Sequence, residues 1–181
     1  MKLMIASDIH GSAFYLKQLI ECYKEEKADR LLLLGDLLYH GPRNDLPKGY
    51  APKEVIQMLN EMKDELWCVR GNCEAEVDQM VLEFPVMSDS MILYLDGHTF
   101  FATHGHIFNE GNLPPMKKGD ILLHGHTHVQ ALKVTDNYTY LNPGSVSIPK
   151  EGNQNSYMIY ENGKVIIKSL DGVEISELVL S

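Results

Sequence analysis

The amino-acid sequence predicts an α/β fold in which two packed sheets carry helices on the outside. Its first half alternates short apolar runs with amphipathic segments, which is typical of parallel strands joined by helices. Its second half contains two pairs of β-rich runs, and an Asp-Gly or Asn-Gly dipeptide joins each pair, which is typical of hairpins. The chain has 181 residues and no repeat or linker, so we expect a single domain over residues 1–181.

The first half contains three predicted strands and two predicted helices. The strands are expected at residues 2–7, 30–34 and 66–69, and the helices at residues 13–25 and from Pro52 onwards. Ser12 is a suitable N-cap for the first helix, and Pro52 suits the first position of the second. Because active sites gather at the carboxyl ends of parallel strands, we expect the functional residues just after these strands.

The second half is predicted to add antiparallel edges. Asp96-Gly97 joins one pair of β-rich runs, and Asn162-Gly163 joins residues 156–160 to residues 164–170. One long irregular stretch, residues 39–51, carries several polar turn signals directly after Asp36. We interpret it as the rim of a pocket rather than as a hinge.

Composition and charge exclude several classes of protein. The chain is 44% hydrophobic and 23% charged, as in globular proteins, and its longest unbroken aliphatic run, residues 31–34, cannot span a bilayer. No signal-peptide pattern precedes Asp8, so we predict a cytoplasmic location. Three cysteines without a CxxC pair fit a reducing compartment, and Cys22 and Cys68 are expected in the core. A net charge of −9 disfavours binding to long nucleic acids.

Five short motifs supply seven side chains of the types that bind divalent cations. Each motif follows an apolar run and contains a small residue or a glycine at its turn. Any one of them alone is weak, since a lone Asp-x-His or Gly-Asp is common at turns. Together they supply carboxylate, amide and imidazole ligands, and they predict a metal site. The seven residues are Asp8, His10, Asp36, Asn72, His104, His126 and His128.

The order of these motifs resembles the signature of the calcineurin-like metallophosphoesterases, D-x-H, G-D, G-N-H-[DE], H and G-H-x-H. The segment that begins at Gly35 further resembles the small bacterial phosphodiesterases of the YfcE type. This resemblance implies a four-layer α/β/β/α sandwich of two mixed sheets flanked by helices. It also makes a homo-oligomer plausible.

The resemblance implies a role for each of the seven residues. Asp8, His10 and His128 would hold one metal, Asn72, His104 and His126 a second, and Asp36 would bridge both. Asp36, Asn72 and His104 are also the residues to which catalysis is assigned. The family implies two divalent metal ions per chain, with Mn first and Zn, Ni, Fe or Co as alternatives; the nitrogen and oxygen ligands, without thiolate, fit these metals.

The sequence departs from the family pattern at Cys73, where the family usually has histidine. Either Cys73 only fills space beside the site, or the enzyme lacks an imidazole that would stabilise a phosphoryl oxygen or protonate a leaving group. Arg43 and Asn44 are substrate-binding candidates together with Cys73, although Arg43 is equally compatible with an ordinary exposed loop residue.

Four other histidines and the remaining large apolar residues have lower claims on the site. His40 and His106 are expected to orient ligands or contact substrate. His98 is expected in a turn and His124 on a strand under the site. Trp67 and the nine methionines are expected in the core.

The resemblance implies hydrolysis of a small phosphodiester by a hydroxide activated between two metals. One alternative is a non-catalytic scaffold that resembles the retromer small subunit, which has this fold with an incomplete metal site. The seven complete ligand positions argue against it. The second alternative, a phosphomonoesterase of the same superfamily, stays open at the level of sequence.

Overall fold

The computed structural model describes residues 1–180 and contains two mixed β-sheets with helices packed against one of them. The strands are β1 Lys2–Ala6, β2 Arg30–Leu33, β3 Leu66–Cys68, β4 Ser90–Leu95, β5 His98–Thr103, β6 Ile121–Leu123, β7 Gln130–Val134, β8 Thr139–Pro143, β9 Ser156–Glu161, β10 Lys164–Ser169 and β11 Glu174–Val179. The helices are α1 Ala13–Glu26, α2 Pro52–Glu61 and α3 Glu76–Val81, with a 3₁₀ turn at Lys63–Glu65.

Both sheets combine parallel and antiparallel strands. The first sheet has the order β11-β10-β9-β1-β2-β3, in which β1, β2 and β3 run parallel. The second has the order β4-β5-β6-β8-β7, with parallel pairing through β5, β6 and β8 and antiparallel strands at both edges. The predicted parallel first half and both predicted hairpins are confirmed.

Two apolar cores hold the layers together. One lies between α1, α2 and the first sheet, where Leu16 and Leu19 pack with alternate residues of β1 and β2. The other lies between the two sheets, where Ile5 and Leu32 meet Phe100 and their neighbours. Burying alternate residues of a strand on opposite faces is the expected behaviour of a sheet covered on both sides.

The predicted α/β fold of two mixed sheets with flanking helices is confirmed, and the outermost layer differs in detail. On the outer face of the second sheet Phe101 packs edge-on against Phe108 at 5.6 Å between ring centroids. Phe108 belongs to the stretch from 104 to 120, in which the structure has neither helix nor strand. An irregular segment therefore covers this face where a helix was expected.

Among the predictions for single residues, some are confirmed and others are wrong. Ser12 caps α1, since its Oγ accepts a hydrogen bond from the Tyr15 amide at 3.2 Å. Cys22 and Cys68 are buried as expected. His98 is not a turn residue, because it begins β5 directly after the Asp-Gly turn. The assignment of all methionines to the core is wrong, because Met80 on the short α3 is 83% exposed.

The carboxyl ends of the parallel strands place the functional residues at one edge of the two sheets. The turns after β1 and β2 are joined by hydrogen bonds from Asp8 N to Gly35 O at 3.1 Å and from His10 N to Asp36 O at 2.9 Å. Among residues 1–180 no helix has the length and apolar character needed to cross a membrane.

Candidate metal centre

All seven predicted ligands lie together at this edge. Asp8 and His10 follow β1, Asp36 follows β2 and Asn72 follows β3. From the second sheet, His104 follows β5 directly, and His126 and His128 lie between β6 and β7. Both sheets therefore contribute ligands, and the centre lies where their carboxyl ends meet.

One half of the centre, here called the buried half, consists of Asp8, His10 and His128. Their side chains are between 0% and 3% exposed. Asp8 Oδ1 lies 3.1 Å from His128 Nε2 and 3.4 Å from His10 Nε2, yet this buried oxygen has no hydrogen-bond partner within residues 1–180. Unpaired buried acceptors are costly, so the three atoms fit a cation between them.

The orientation of the two imidazoles strengthens this fit. His10 Nδ1 lies 2.7 Å from Tyr39 O and His128 Nδ1 lies 2.6 Å from Ile148 O, so each neutral ring carries its proton on Nδ1. Both Nε2 atoms then present lone pairs at a separation of 3.3 Å. Two lone pairs repel at that distance unless a cation or a proton lies between them. Backbone acceptors behind metal-binding imidazoles are the usual arrangement.

The other half, here called the open half, consists of Asn72, His104 and His126. His104 Nε2 lies 3.1 Å from Asn72 Oδ1 and 3.1 Å from His126 Nδ1. His104 Nδ1 is 2.7 Å from Leu34 O, so the Nε2 lone pair again faces the other ligands. Asn72 is exposed and His126 is half-buried, so this half faces the solvent-filled cleft.

Asp36 lies between the two halves. Its Oδ2 is 3.7 Å from His10 Nε2 and 3.4 Å from His104 Nε2, one imidazole from each half. Its Oδ1 accepts a hydrogen bond from the Cys73 amide at 2.8 Å, which fixes the carboxylate plane. A single oxygen that faces both halves could bridge two cations.

Glu74 fixes the backbone around Asp36. Its two carboxylate oxygens accept hydrogen bonds from the amides of Asp36, Leu37 and Gly71 at 2.8, 2.7 and 2.5 Å. It is 4% exposed, and both oxygens are used in these bonds. Glu74 is the last residue of the Gly-Asn-Cys-Glu motif, although no role was predicted for it from the sequence.

Backbone strain is concentrated at the ligands. Five of the nine non-glycine residues with positive φ in residues 1–180 are candidate ligands. Each such conformation costs about 1 kcal/mol for an L-residue, and such strain is typical of functional sites. The five are Asp8, His10, Asp36, His126 and His128.

Two glycines allow the turns to approach the ligands closely. A Cβ on Gly71 would lie 2.2 Å from Asp36 Oδ1, and a Cβ on Gly125 would lie 1.9 Å from Ser7 Oγ. Ser7 Oγ donates to Asp8 Oδ2 at 2.6 Å, so a side chain at Gly125 would displace the group that orients Asp8. Any larger residue at either position would therefore move a carboxylate.

The pKa values of the ligands reflect burial and mutual contact. Burial alone would raise the pKa of Asp8, but the adjacent His10 and His128 hold it well below its usual range. Burial likewise opposes the ionised form of Asp36, whereas His104 lowers its pKa. Burial disfavours the charged form of His104, yet Asp36 and Asp8 raise its pKa to about 9. Burial and the charge of His104 lower the pKa of His126 to about 4. Both carboxylates therefore stay ionised at neutral pH, which suits a cation site.

A cleft of about 390 Å³ opens over the centre, and ligands from both halves form its floor. The substrate-binding candidates Arg43, Asn44 and Cys73 line it. Thr127 and Lys150 also line it, and sequence reasoning missed both. Thr127 had a signal, since it lies between the two histidines of Gly-His-Thr-His, whereas Lys150 lies on a loop without a motif.

The remaining histidines surround the centre without lining the cleft. The Nδ1 atoms of His40 and His106 are buried and have no partner among the described residues. The His106 ring lies 5.5 Å from that of His104 between centroids. His124 is buried beneath the site against Tyr140, but it follows β6 directly and does not lie on a strand as predicted.

The family model, a curated relative and a solved structure that match this chain all belong to phosphoesterases. Residues 1–164 match the family model of the calcineurin-like phosphoesterase superfamily domain. The chain is 45% identical over 175 residues to the protein named phosphodiesterase YfcE of Escherichia coli K12, which covers 97% of this chain and 95% of that protein. The solved structure of YfcE, described as a phosphoesterase from E. coli, matches with a TM-score of 0.97 at 43% identity and covers 100% of both chains.

A more distant structure shares the fold alone. The zinc complex of Vps29 from Entamoeba histolytica matches with a TM-score of 0.64 at 18% identity and covers 100% of both chains. At this identity the match carries no information on activity.

Proposed function

The chain belongs to the calcineurin-like phosphoesterase superfamily and is a metallophosphoesterase, and we propose that it hydrolyses a small phosphodiester at a centre of two divalent cations. The observation that carries this proposal is the shared position of Asp36 between two sets of ligand atoms. Divalent cations held there would polarise the phosphoryl oxygens and lower the pKa of water towards neutrality, which supplies a nucleophile.

The roles of the protein groups follow from their contacts. Asp8, His10 and His128 would hold one cation, Asn72, His104 and His126 the other, and Asp36 would bridge them. The backbone carbonyls behind His10, His104 and His128 place the proton of each neutral imidazole on Nδ1, so that Nε2 points towards the centre and could bind a cation. Imidazoles held in this way need no reorganisation during the reaction. Such preorganisation is the main source of electrostatic catalysis.

Cys73 supports a preference for diesters. Burial and the charge of Asp36 raise the pKa of its thiol, so that it stays neutral at neutral pH. A neutral thiol can neither attract the extra negative charge of a monoester nor protonate a poor leaving group. We therefore propose a diester with a good leaving group as the preferred substrate class, rather than a monoester.

We also propose a metal, a domain organisation, a location and an oligomeric state for the enzyme. We propose Mn as the first choice of metal, with Zn, Ni, Fe or Co as competitors, because the ligands are nitrogen and oxygen atoms without thiolate. We further propose a single domain over residues 1–181, a cytoplasmic location and assembly as a homo-oligomer. The net charge of −9 argues against long nucleic acids as substrates.

A non-catalytic scaffold is the rival function, and the Vps29 match in fold is its basis. A scaffold does not need a full ligand set, whereas seven ligand side chains converge here. The positive φ at five of them is a conformational cost of the kind that is typical of functional sites.

The test is a matrix of metals and substrates. Metal-free protein is loaded with Mn, Ni, Zn, Co or Mg and assayed against matched aryl diesters, aryl monoesters and cyclic nucleotides. We expect hydrolysis of aryl diesters with Mn and a lower kcat/KM for the matched monoesters. No diester hydrolysis with any metal would support the scaffold, and a higher kcat/KM for monoesters would support a phosphomonoesterase.

A further inference from the structure

Two cationic side chains lie at the mouth of the cleft without acidic partners. Arg43 and Lys150 both line it and both are exposed. Among residues 1–180 neither side chain forms a salt bridge or a hydrogen bond with the protein. Asp36 is the only acidic residue in the described lining, and it belongs to the floor. In a chain of net charge −9, this mouth is a local concentration of unneutralised positive charge.

Arg43 is presented by a tight turn. Asn44 N donates to Gly41 O at 3.4 Å, which closes a four-residue turn with Pro42 at its second position and Arg43 at its third. Asn44 Nδ2 also donates to His40 O at 2.8 Å. Proline restricts φ, so the turn loses little further entropy when Arg43 binds a ligand.

Lys150 lies at the start of a second tight turn. Asn153 N donates to Lys150 O at 3.0 Å, and Glu151 and Gly152 adopt positive φ between them. Lys150 N donates to His128 O at 3.1 Å, and Ile148 O lies 2.6 Å from His128 Nδ1. The segment that carries Lys150 therefore contacts both the backbone and the side chain of His128, a candidate ligand of the buried half.

The Arg43 turn has a similar link to the centre. His10 Nδ1 lies 2.7 Å from Tyr39 O, two residues before the turn begins. The backbone close to each cationic residue therefore contacts one histidine of the buried half, His10 for Arg43 and His128 for Lys150. This coupling distinguishes the pair from ordinary surface cations, whose positions are independent of the site.

Resting on the proposed phosphodiesterase function, we infer that Arg43 and Lys150 bind a second anionic group, a phosphate or a carboxylate, on one arm of the substrate diester. The scissile phosphoryl group would bind at the floor, where the candidate ligands Asp36, Asn72 and His126 line the cleft. The cations at the mouth are then available for a separate charge. Guanidinium and ammonium groups are the side chains that bind phosphate and carboxylate oxygens. The substrate class is therefore a phosphodiester that carries a further anion.

The test compares two substrates that differ only in that anion. Thymidine 5′-(4-nitrophenyl phosphate) and its 3′-phosphate derivative share the scissile bond and the leaving group. In the Mn-loaded wild type we expect kcat/KM to be about tenfold higher for the derivative, and this preference to shrink as ionic strength rises. In the double variant Arg43→Ala/Lys150→Ala we expect the ratio of the two kcat/KM values to fall to about one.

A matched double variant separates local from global charge. Lys53→Ala/Lys118→Ala removes two exposed cations that do not line the cleft, so the net charge changes equally. It should keep the wild-type ratio. A wild-type ratio of about one, or a high ratio that survives in Arg43→Ala/Lys150→Ala, would overturn the inference.

Equilibrium binding keeps this inference separate from the proposed function. If neither diester is hydrolysed with Mn, the proposed function fails, and calorimetry on the same proteins decides the inference. Thymidine 3′,5′-bisphosphate should then bind about tenfold more tightly than thymidine 5′-monophosphate to the wild type, and equally to Arg43→Ala/Lys150→Ala. Equal binding of both probes to the wild type would overturn it.

Discussion

The two halves of the candidate metal centre differ in exposure. Asp8, His10 and His128 are at most 3% exposed, and all three have positive φ. In the open half Asn72 is exposed, His126 is half-buried and only His104 is fully buried. A carboxylate is present in the buried half, whereas the open half has a neutral amide in its place.

Because of this difference, we expect the two halves to bind their cations with different affinities. A buried carboxylate with oriented imidazoles should hold a cation tightly, because its charge is scarcely screened by solvent. An exposed amide adds no charge, so the open half should bind its cation more weakly and exchange it with solvent. The open half also faces the cleft, where substrate enters. The following predictions test this comparison.

Metal removal should have the largest effect. During incubation with a chelator, we expect one equivalent of Mn to leave early, from the open half, and hydrolysis to disappear with it. Added Mn should restore activity, since no thiolate locks the ligands. Elemental analysis and diester assays on the same samples provide the measurement. Simultaneous release of both equivalents, or full activity in metal-free protein, would contradict the comparison.

Asp36→Asn should damage both halves together. It removes the one negative charge that faces His10 and His104, and we expect kcat/KM for an aryl diester to fall by about 10²- to 10³-fold. The loss should greatly exceed that of Arg43→Ala. Asp136→Asn, in an exposed turn, makes the same chemical change far from the ligands and should leave activity unchanged. Two metals per chain with normal turnover in Asp36→Asn would refute the bridging role.

Glu74→Gln should weaken metal binding without changing a ligand. The amide that replaces one oxygen would face a backbone N–H, either that of Leu37 or those of Asp36 and Gly71, and the bridging carboxylate would lose its fixed position. Loss of such a supporting contact typically costs about 10- to 100-fold in metal affinity.

The control for this prediction is Glu76→Gln, an exposed position at the start of α3. Mn titration of both variants measures the affinity, and the thermal midpoint of the metal-free proteins reports general destabilisation. Unchanged Mn affinity in Glu74→Gln, or a loss equal to that of Glu76→Gln, would show that Glu74 does not position the centre.

Cys73→His should have the smallest effect, confined to substrate choice. Cys73 lies beside the open half, where Asn72 Nδ2 donates to its sulfur at 3.3 Å. An imidazole there could become charged, so we expect kcat/KM for an aryl monoester to rise several-fold relative to the matched diester. Kinetics with the matched pair in both proteins measures this ratio. A constant ratio would mean that Cys73 only fills space.

The sheets and the positions of the seven candidate ligands could be predicted from the sequence because their signals are local. Each ligand follows an apolar strand within a few residues, and parallel strands bring such positions together. The residues that the sequence did not reveal depend on contacts between distant segments. Lys150 reaches the cleft because its amide bonds to His128 O. Glu74 acts on Asp36 and Leu37, which precede it on another turn.

The outer layer shows the same limit. The segment 104–120 has no helical periodicity of its own, and the expectation of helices outside both sheets named no helix in it. Its packing depends on contacts such as that of Phe108 with Phe101, which hydrophobic patterning does not reveal. Met80 was assigned to the core because of its residue type, whereas the six-residue α3 leaves it exposed.

Calorimetric titration of Mn into metal-free protein tests the central claim most directly. The account predicts two binding events per chain of different affinity in the wild type. In Asn72→Ala it predicts that the tighter event remains and the weaker one is lost, while the exposed-turn variant Asn137→Ala keeps both. A single event with one Mn per wild-type chain, or loss of the tighter event in Asn72→Ala, would contradict the account.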